Sequence, residues 1–244
     1  MKQALKRTLK PAVEPLRRAR DQVATRGSGR DCPLCGWAGG RFLPQGKPPK
    51  VRQDARCPKC GSLERHRLAY VLLCDRLAGD QVTLHSSPEP AVTRWLRSIS
   101  RSYLSIDLDG SLAMRAMDLT RLDLPDASQT LVYCSHVLEH IPDDRSAMNE
   151  IRRVLQPGGV AAIQVPIRGP ETDEDLTVTD PDERRARYRQ FDHVRFYGLD
   201  ISARLSAAGF AVETLDAADL PEELVERQAL SLRSTQQVFL CTAV

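Results

Sequence analysis

Four cysteines carry the sharpest chemical signal in this chain of 244 residues. Cys32-Pro-Leu-Cys35 and Cys57-Pro-Lys-Cys60 form C-x2-C-x21-C-x2-C, and a glycine, Gly36 or Gly61, follows each pair. Two residues between thiols let both sulfurs reach one ion while backbone amides turn toward them. Four thiolates then close the tetrahedral shell of Zn2+ and leave no position for a substrate. The spacing predicts Cys32, Cys35, Cys57 and Cys60 as ligands of a structural zinc. Iron accepts the same ligands, with zinc the default. A redox pair is disfavoured, because two matched motifs occur without thioredoxin-like strand context. The scattered Cys74, Cys134 and Cys241 sit among apolar residues and read as buried thiols.

Two further segments have the residue types for chemistry. Arg65-His66-Arg67 follows the second cysteine pair by one turn. It is either a charged solvent face or a clamp for a phosphate or carboxylate of a substrate, held rigid by the metal knuckle. His136-Val-Leu-Glu139-His140 spells H-x-x-E-H, a zinc-peptidase signature. That chemistry needs the middle of a long helix and a distant third carboxylate ligand. Here the segment falls at a strand-to-helix junction with Pro142 two residues on, so the peptidase reading is set aside.

The elements that must position these residues follow from apolar spacing. Residues 1–30 form a basic arm and linker, read as a solvated tail in preference to an arm for an anionic surface. Residues 31–62, rich in Gly, Pro and Cys, form a small metal-stapled module. Residues 63–79 are a connecting helix, with Leu63, Leu68, Val71, Leu72 and Leu77 at helical spacing and Gly79 as its stop. Residues 80–244 then alternate strand and helix. Strands are expected at 82–85, 102–107, 130–134, 160–165, 210–215 and 237–243, and helices at 90–99, 143–155 and 199–208. Residues 166–197 read as irregular. Such alternation predicts an α/β fold, a mostly parallel sheet covered on both faces.

Composition narrows the class. The chain is 41% hydrophobic with a mean hydropathy of −0.36, enough for a core. It has no run near the roughly 18 apolar residues of a spanning helix. Lys6, Arg7, Lys10, Arg17 and Arg18 interrupt any leader-like segment, so no secretory signal is expected and the cytoplasm is the expected location. Residues 1–70 carry 17 Lys/Arg against 5 Asp/Glu, and the rest 18 against 27. A net +12 front on a −9 body either binds something anionic or docks on the chain itself.

The segment DLPDASQTLVYCSHVLEHIPDDRSAMNEIRRVLQPGG (123–159) resembles the class I S-adenosylmethionine-dependent methyltransferases. They share the strand, the "LEH" turn, the following amphipathic helix and the "PGG" before the next strand. The resemblance extends in weaker form over 80–244. LHSSPEP (84–90), the cysteine quartet and YRQFDHVRFYG (188–198) together look like a bacterial subgroup with an N-terminal zinc ribbon. The resemblance implies a Rossmann-like, seven-stranded methyltransferase sheet with strand 237–243 antiparallel. It also implies S-adenosyl-L-methionine as cofactor, lying across the carboxyl ends of the first strands. Asp107 matches the acid that holds the ribose hydroxyls, and Asp118-Leu119 the pair that reads the adenine edge. Ser135 matches the position facing the methionine part. The usual glycine-rich loop is missing. His85, Ser87 and Glu89 stand in the places of its acid and first two glycines, and Glu89 or a serine is expected to hold the cofactor's ammonium group instead.

The acceptor pocket of this fold is usually built after the fifth strand, which brings in His193 and Arg195. They are two apart, so on an extended segment both would point into the pocket, as base and anion anchor. His193 and then His140 are the expected bases among His136, Glu139, His140 and His193. Glu139 and His140 are also candidates for Mg2+, as in the few metal-assisted members of the superfamily. The expected reaction is methyl transfer to an oxygen or nitrogen of a small-molecule, sugar-like or peptide acceptor. Two rivals remain: a zinc-ribbon ribosomal RNA methyltransferase, favoured by the basic front, and a non-catalytic binding protein, favoured by the lost glycine loop.

Overall fold

The computed structural model describes residues 14–46, 48, 50–77, 79–230 and 236–244. The arm expected over 1–30 falls partly outside these residues; 14–24 form a helix, α1. The cysteine-rich segment folds as two antiparallel hairpins, β1 (Arg30–Cys32) with β2 (Trp37–Gly39) and β3 (Leu43–Gln45) with β4 (Arg52–Arg56). Its small core is Trp37 and Phe42, ring centroids 5.2 Å apart, packed on the buried cysteines. Helix α2 (Glu64–Leu73) follows.

The main sheet has seven strands: β5 (Gln81–Ser86), β6 (Ser100–Asp107), β7 (Arg115–Ala116), β8 (Gln129–Ser135), β9 (Leu155–Gln164), β12 (Phe210–Asp216) and β13 (Gln237–Ala243). Their spatial order is β12-β13-β9-β8-β5-β6-β7. Strands β5 to β9 pair in parallel, and β13 runs antiparallel to both β9 and β12. This is the Rossmann-like methyltransferase sheet expected from the sequence. The order reverses at β5, where the chain goes first toward β6 and then across to β8. Such a switch point opens a crevice at the carboxyl ends of the strands.

Both faces are covered, which explains why β8 reads as an unbroken apolar run. Leu131 and Tyr133 point to the face packed by Trp95 and Leu96 of α3 (Pro90–Ser98) and by Ala69 and Leu73 of α2. Val132 and Cys134 point to the other face, against Met148 and Ile151 of α4 (Asp144–Val154) and Leu205 of α6 (Ile201–Ala207). Cys134 and Cys241 are buried, as expected of inert thiols, and Cys74 is half-buried. Asp143 caps α4 by accepting the Ser146 N–H at 3.0 Å, so the helix begins one turn after the histidine-rich junction that it supports.

Five elements depart from the sequence reading. The seventh strand, β7, is only two residues long and has no period to detect. Residues 166–197 are not wholly irregular: β10 (Asp173–Glu174) pairs with β11 (Arg195–Phe196), and α5 (Pro181–Tyr188) lies between them. Helix α7 (Glu222–Gln228) fills the segment before β13. Among the described residues no helix is long and apolar enough to cross a membrane.

Candidate active site and metal centre

The four cysteine sulfurs converge. Cys32 Sγ lies 3.6 Å from Cys60 Sγ and Cys35 Sγ 3.7 Å from Cys57 Sγ, with all four inside 4.8 Å of one another. Sulfurs about 2.3 Å from a tetrahedral ion stand about 3.8 Å apart, so the spacing fits one zinc. The glycines after each pair have positive φ, 64° at Gly36 and 78° at Gly61. That left-handed turn lets the Gly36 and Gly61 N–H groups return to the carbonyls of Cys32 and Cys57, both at 2.9 Å. The Ser62 N–H points at Cys60 Sγ, 3.4 Å away, as a thiolate would favour.

Arg65-His66-Arg67 is neither a solvent face nor an open clamp. Arg67 is fully buried beneath Phe42 and donates to the carbonyls of Ala55, Ser62, Gln228 and Ala229 at 2.6–3.0 Å. It thereby ties the cysteine module, α2 and the end of α7 together. Arg65 and His66 do clamp a carboxylate, but it is Glu89 of the same chain, at 3.1 and 3.0 Å. The Leu63 N–H occupies His66 Nδ1, which leaves the proton on Nε2 for Glu89. Burial alone would raise the Glu89 carboxyl; the His66 hydrogen bond and the Arg65 charge hold it at about 2.

At the carboxyl ends of β5, β6 and β8 lies a cleft of about 390 Å3, lined among others by Ser87, Asp107, Asp118, Leu119, His136, His140 and Asp192. Its size is within the roughly 300–1,000 Å3 of small-molecule sites. Asp107 ends β6, and its backbone carbonyl takes the Met117 N–H at 3.0 Å, which draws 117–119 against the strand end. Asp118 holds an Asx turn with Thr120 at 2.8 Å. Two lining residues have left-handed backbone, Ser87 (φ 50°) after β5 and His136 (φ 56°) after β8. Ser87 thus adopts the conformation for which a glycine would be the usual choice, and strained positions of this kind cluster at functional sites.

Three sequence-predicted cofactor residues do not line that cleft. His85 is fully buried, its Nδ1 2.9 Å from the Tyr103 hydroxyl, and burial pushes its imidazole down to about 4. Glu89 is turned to Arg65 and His66. The Ser135 hydroxyl donates to Gln164 Oε1 at 3.2 Å. The structure gathers His136, Glu139, His140 and His193 at one edge of the cleft. Glu139 is fully buried with His136 Nδ1 3.2 Å from one oxygen. Burial works to raise its carboxyl, and the His136 contact with the charges of His136 and His140 outweighs it, leaving it below the usual range. The His140 and His193 rings meet edge to face at 4.6 Å, and burial pushes the His193 imidazole down.

Arg195 differs from its expected orientation. It is fully buried, pairs with Glu174 and donates to the carbonyls of Leu138, Ile141 and Pro142. Its guanidinium is spent on the 138–142 turn and does not line the cleft, because β11 lies against that turn instead of running free beside the pocket. Asp192, which the sequence reading passed over, does line the cleft, and its Oδ2 is 3.3 Å from His140 Nδ1. Its place beside His193 in FDHVRF was the available signal.

A parallel sheet with β13 reversed, and a cleft with acids after β6 and β7, defines a known architecture. Residues 73–163 match the methyltransferase domain family. A protein of Mycolicibacterium smegmatis named "Probable S-adenosylmethionine-dependent methyltransferase" is 28% identical over 160 residues, 61% of this chain. The match spans 59% of that relative's length, less than two thirds of it. Among solved structures, the S-adenosylmethionine-dependent methyltransferase of Mesorhizobium loti superposes with a TM-score of 0.52 at 16% identity, over 68% of this chain and 92% of that one. The 1,6-didemethyltoxoflavin-N1-methyltransferase of Burkholderia thailandensis, with bound 1,6-didemethyltoxoflavin and S-adenosylhomocysteine, gives 0.51 at 15% over 74% and 78%. At such identities the likeness establishes the methyltransferase fold and nothing of the acceptor.

Proposed function

We propose that the protein is an S-adenosylmethionine-dependent methyltransferase with a structural zinc in its N-terminal module, acting on an oxygen or nitrogen of a small-molecule, sugar-like or peptide acceptor. The observation that carries the reading is the cleft, whose lining joins Asp107, Asp118 and Leu119 to the left-handed backbone of Ser87 and His136. A carboxylate at the end of β6 can accept both hydroxyls of a ribose diol, and Asp118 with the Leu119 amide offers an acceptor and a donor to a base edge. The bound cofactor would supply a methyl group already activated by a sulfonium. The protein's task is then to align the acceptor atom and exclude water. The His140–Asp192 edge is the acceptor side in this reading, with residues 166–197 as its wall.

The lost glycine loop does not argue for a merely binding fold, since Ser87 supplies the left-handed turn. Label from methyl-tritiated S-adenosylmethionine, offered with a panel of hydroxyl- and amine-bearing metabolites, sugars, peptides and structured RNA, identifies the acceptor. Transfer to a small molecule, sugar or peptide is expected. Transfer confined to RNA would contradict the acceptor class while keeping the reaction.

A further inference from the structure

We propose that Glu139, His140 and His193 form a second metal site, distinct from the cysteine centre, that binds a divalent first-row transition ion at the cleft edge and takes oxygen ligands of the acceptor at its open positions. One donor atom from each residue lies within 4.8 Å of the others. Ligands about 2.1 Å from one ion stand about 3.0–3.4 Å apart in cis or tetrahedral pairs, so closure asks for at most about 1.4–1.8 Å per pair, shared between two side chains.

Two of the three donors are under-satisfied. Glu139 is fully buried, with His136 Nδ1 3.2 Å from one oxygen without completing a hydrogen bond and no partner on the other; His193 is 2% exposed and neither ring nitrogen has a partner. A buried carboxylate in that condition is costly unless a cation completes it. Two imidazoles and a carboxylate favour Mn2+, Fe2+, Co2+ or Zn2+ over the Mg2+ that Glu139 and His140 alone suggested, because Mg2+ prefers all-oxygen shells.

The surroundings are those of a built site. Asp192 Oδ2 sits 3.3 Å from His140 Nδ1, a carboxylate–imidazole pair that leaves Nε2 for the ion, and His136 Nδ1 steadies Glu139 from behind. The framework is fastened without using the donors. The Val194 N–H donates to the Glu139 carbonyl at 3.0 Å, and Arg195 grips the carbonyls of Leu138 and Pro142 at 2.9 and 2.8 Å. This also gives Arg195 its place: it positions the metal-binding turn. His140 and Asp192 belong to the cleft lining, so the ion's remaining positions would face the acceptor side. Only that last step rests on the methyltransferase reading. There the ion would lower the proton affinity of a bound hydroxyl, whose proton leaves to bulk water.

The test is calorimetric titration with Mn2+ of the full chain, its cysteine centre loaded with zinc, loose metal removed by chelator and no cofactor present. Wild type should bind one further ion per chain. Glu139→Gln, His140→Ala and His193→Ala should each bind it at least 10-fold more weakly, and Glu213→Ala, on the edge strand β12, as wild type does. Circular dichroism selects the folded variants; His140, a third exposed, is the one least needed for folding. No further ion in wild type, or unchanged affinity in folded Glu139→Gln and His140→Ala, would overturn the proposal. Without cofactor in the cell, that failure leaves the methyltransferase reading untouched, and a failure of cofactor binding leaves this test intact.

Discussion

Glu89 shows how one residue can be right in type and different in task. The sequence suggests it as a substitute for a lost glycine loop, and the fold uses it as the N-cap residue of α3 and the anchor for Arg65 and His66. Its carboxyl is held at about 2, against an ordinary 4.5. A carboxyl lowered on folding stabilises above its unfolded value and loses that contribution as pH falls through its folded value. The stability difference between wild type and Glu89→Gln, measured by urea melts, should therefore be full above pH 4.5 and shrink as pH falls toward 2. A difference that is flat across that window would show the clamp to be weak. Arg195 is a second case. Removing it takes the donor from three carbonyls and leaves Glu174 only Arg204 at 3.5 Å, so Arg195→Met should cost on the order of 3 kcal/mol in the same melts. A cost below about 1 kcal/mol would mean that the 138–142 turn holds itself.

Elements were legible where period and length were sufficient. Strands β5, β6, β8, β9, β12 and β13 and helices α3, α4 and α6 all lie within a few residues of their expected places. The two-residue β7 and the β10–β11 pair could not be read, because their existence depends on tertiary contacts and not on pattern. Helix α7 was missed because EELVERQ has only Leu224 and Val225 as apolar residues, too few to show a period. They pack in a cluster with Leu68 of α2, while Gln228 and Arg227 reach Asp31 of the cysteine module at 3.0 and 2.9 Å. The cleft acids could be named from a motif, whereas Arg195 could not be oriented without knowing that β11 lies on the 138–142 turn. At this scale the proposed zinc matters most. Residues 31–62 bury too few apolar side chains to fold unaided. Cys57→Ser should lose one zinc per chain and loosen the Trp37–Phe42 core, read by metal analysis and tryptophan fluorescence, while the main sheet keeps its far-ultraviolet signal. Full zinc retention in that variant would contradict the four-cysteine ligand set.

Across the molecule, and among the described residues, the basic front and acidic body do not meet as two broad charged faces. The arginines of the front largely satisfy acids within it, Arg30 on Asp54 at 2.6 Å and Arg52 on Glu64 at 3.1 Å, and reach the sheet domain through Arg65, Arg67 and the α7 contacts. The cysteine module thus acts as a brace. It fixes α2 on one face of the sheet, and α2 holds Glu89 at the start of α3, beside the cleft. The central claim is that this braced cleft binds the nucleoside cofactor. Calorimetric titration of the full chain with S-adenosylhomocysteine tests it most directly. We expect one site per chain, weakened in Asp107→Ala by about 1.5–3 kcal/mol, the range for hydrogen bonds to a charged group, or roughly 10- to 150-fold. No binding at millimolar ligand, or equal affinity in Asp107→Ala, would contradict the account.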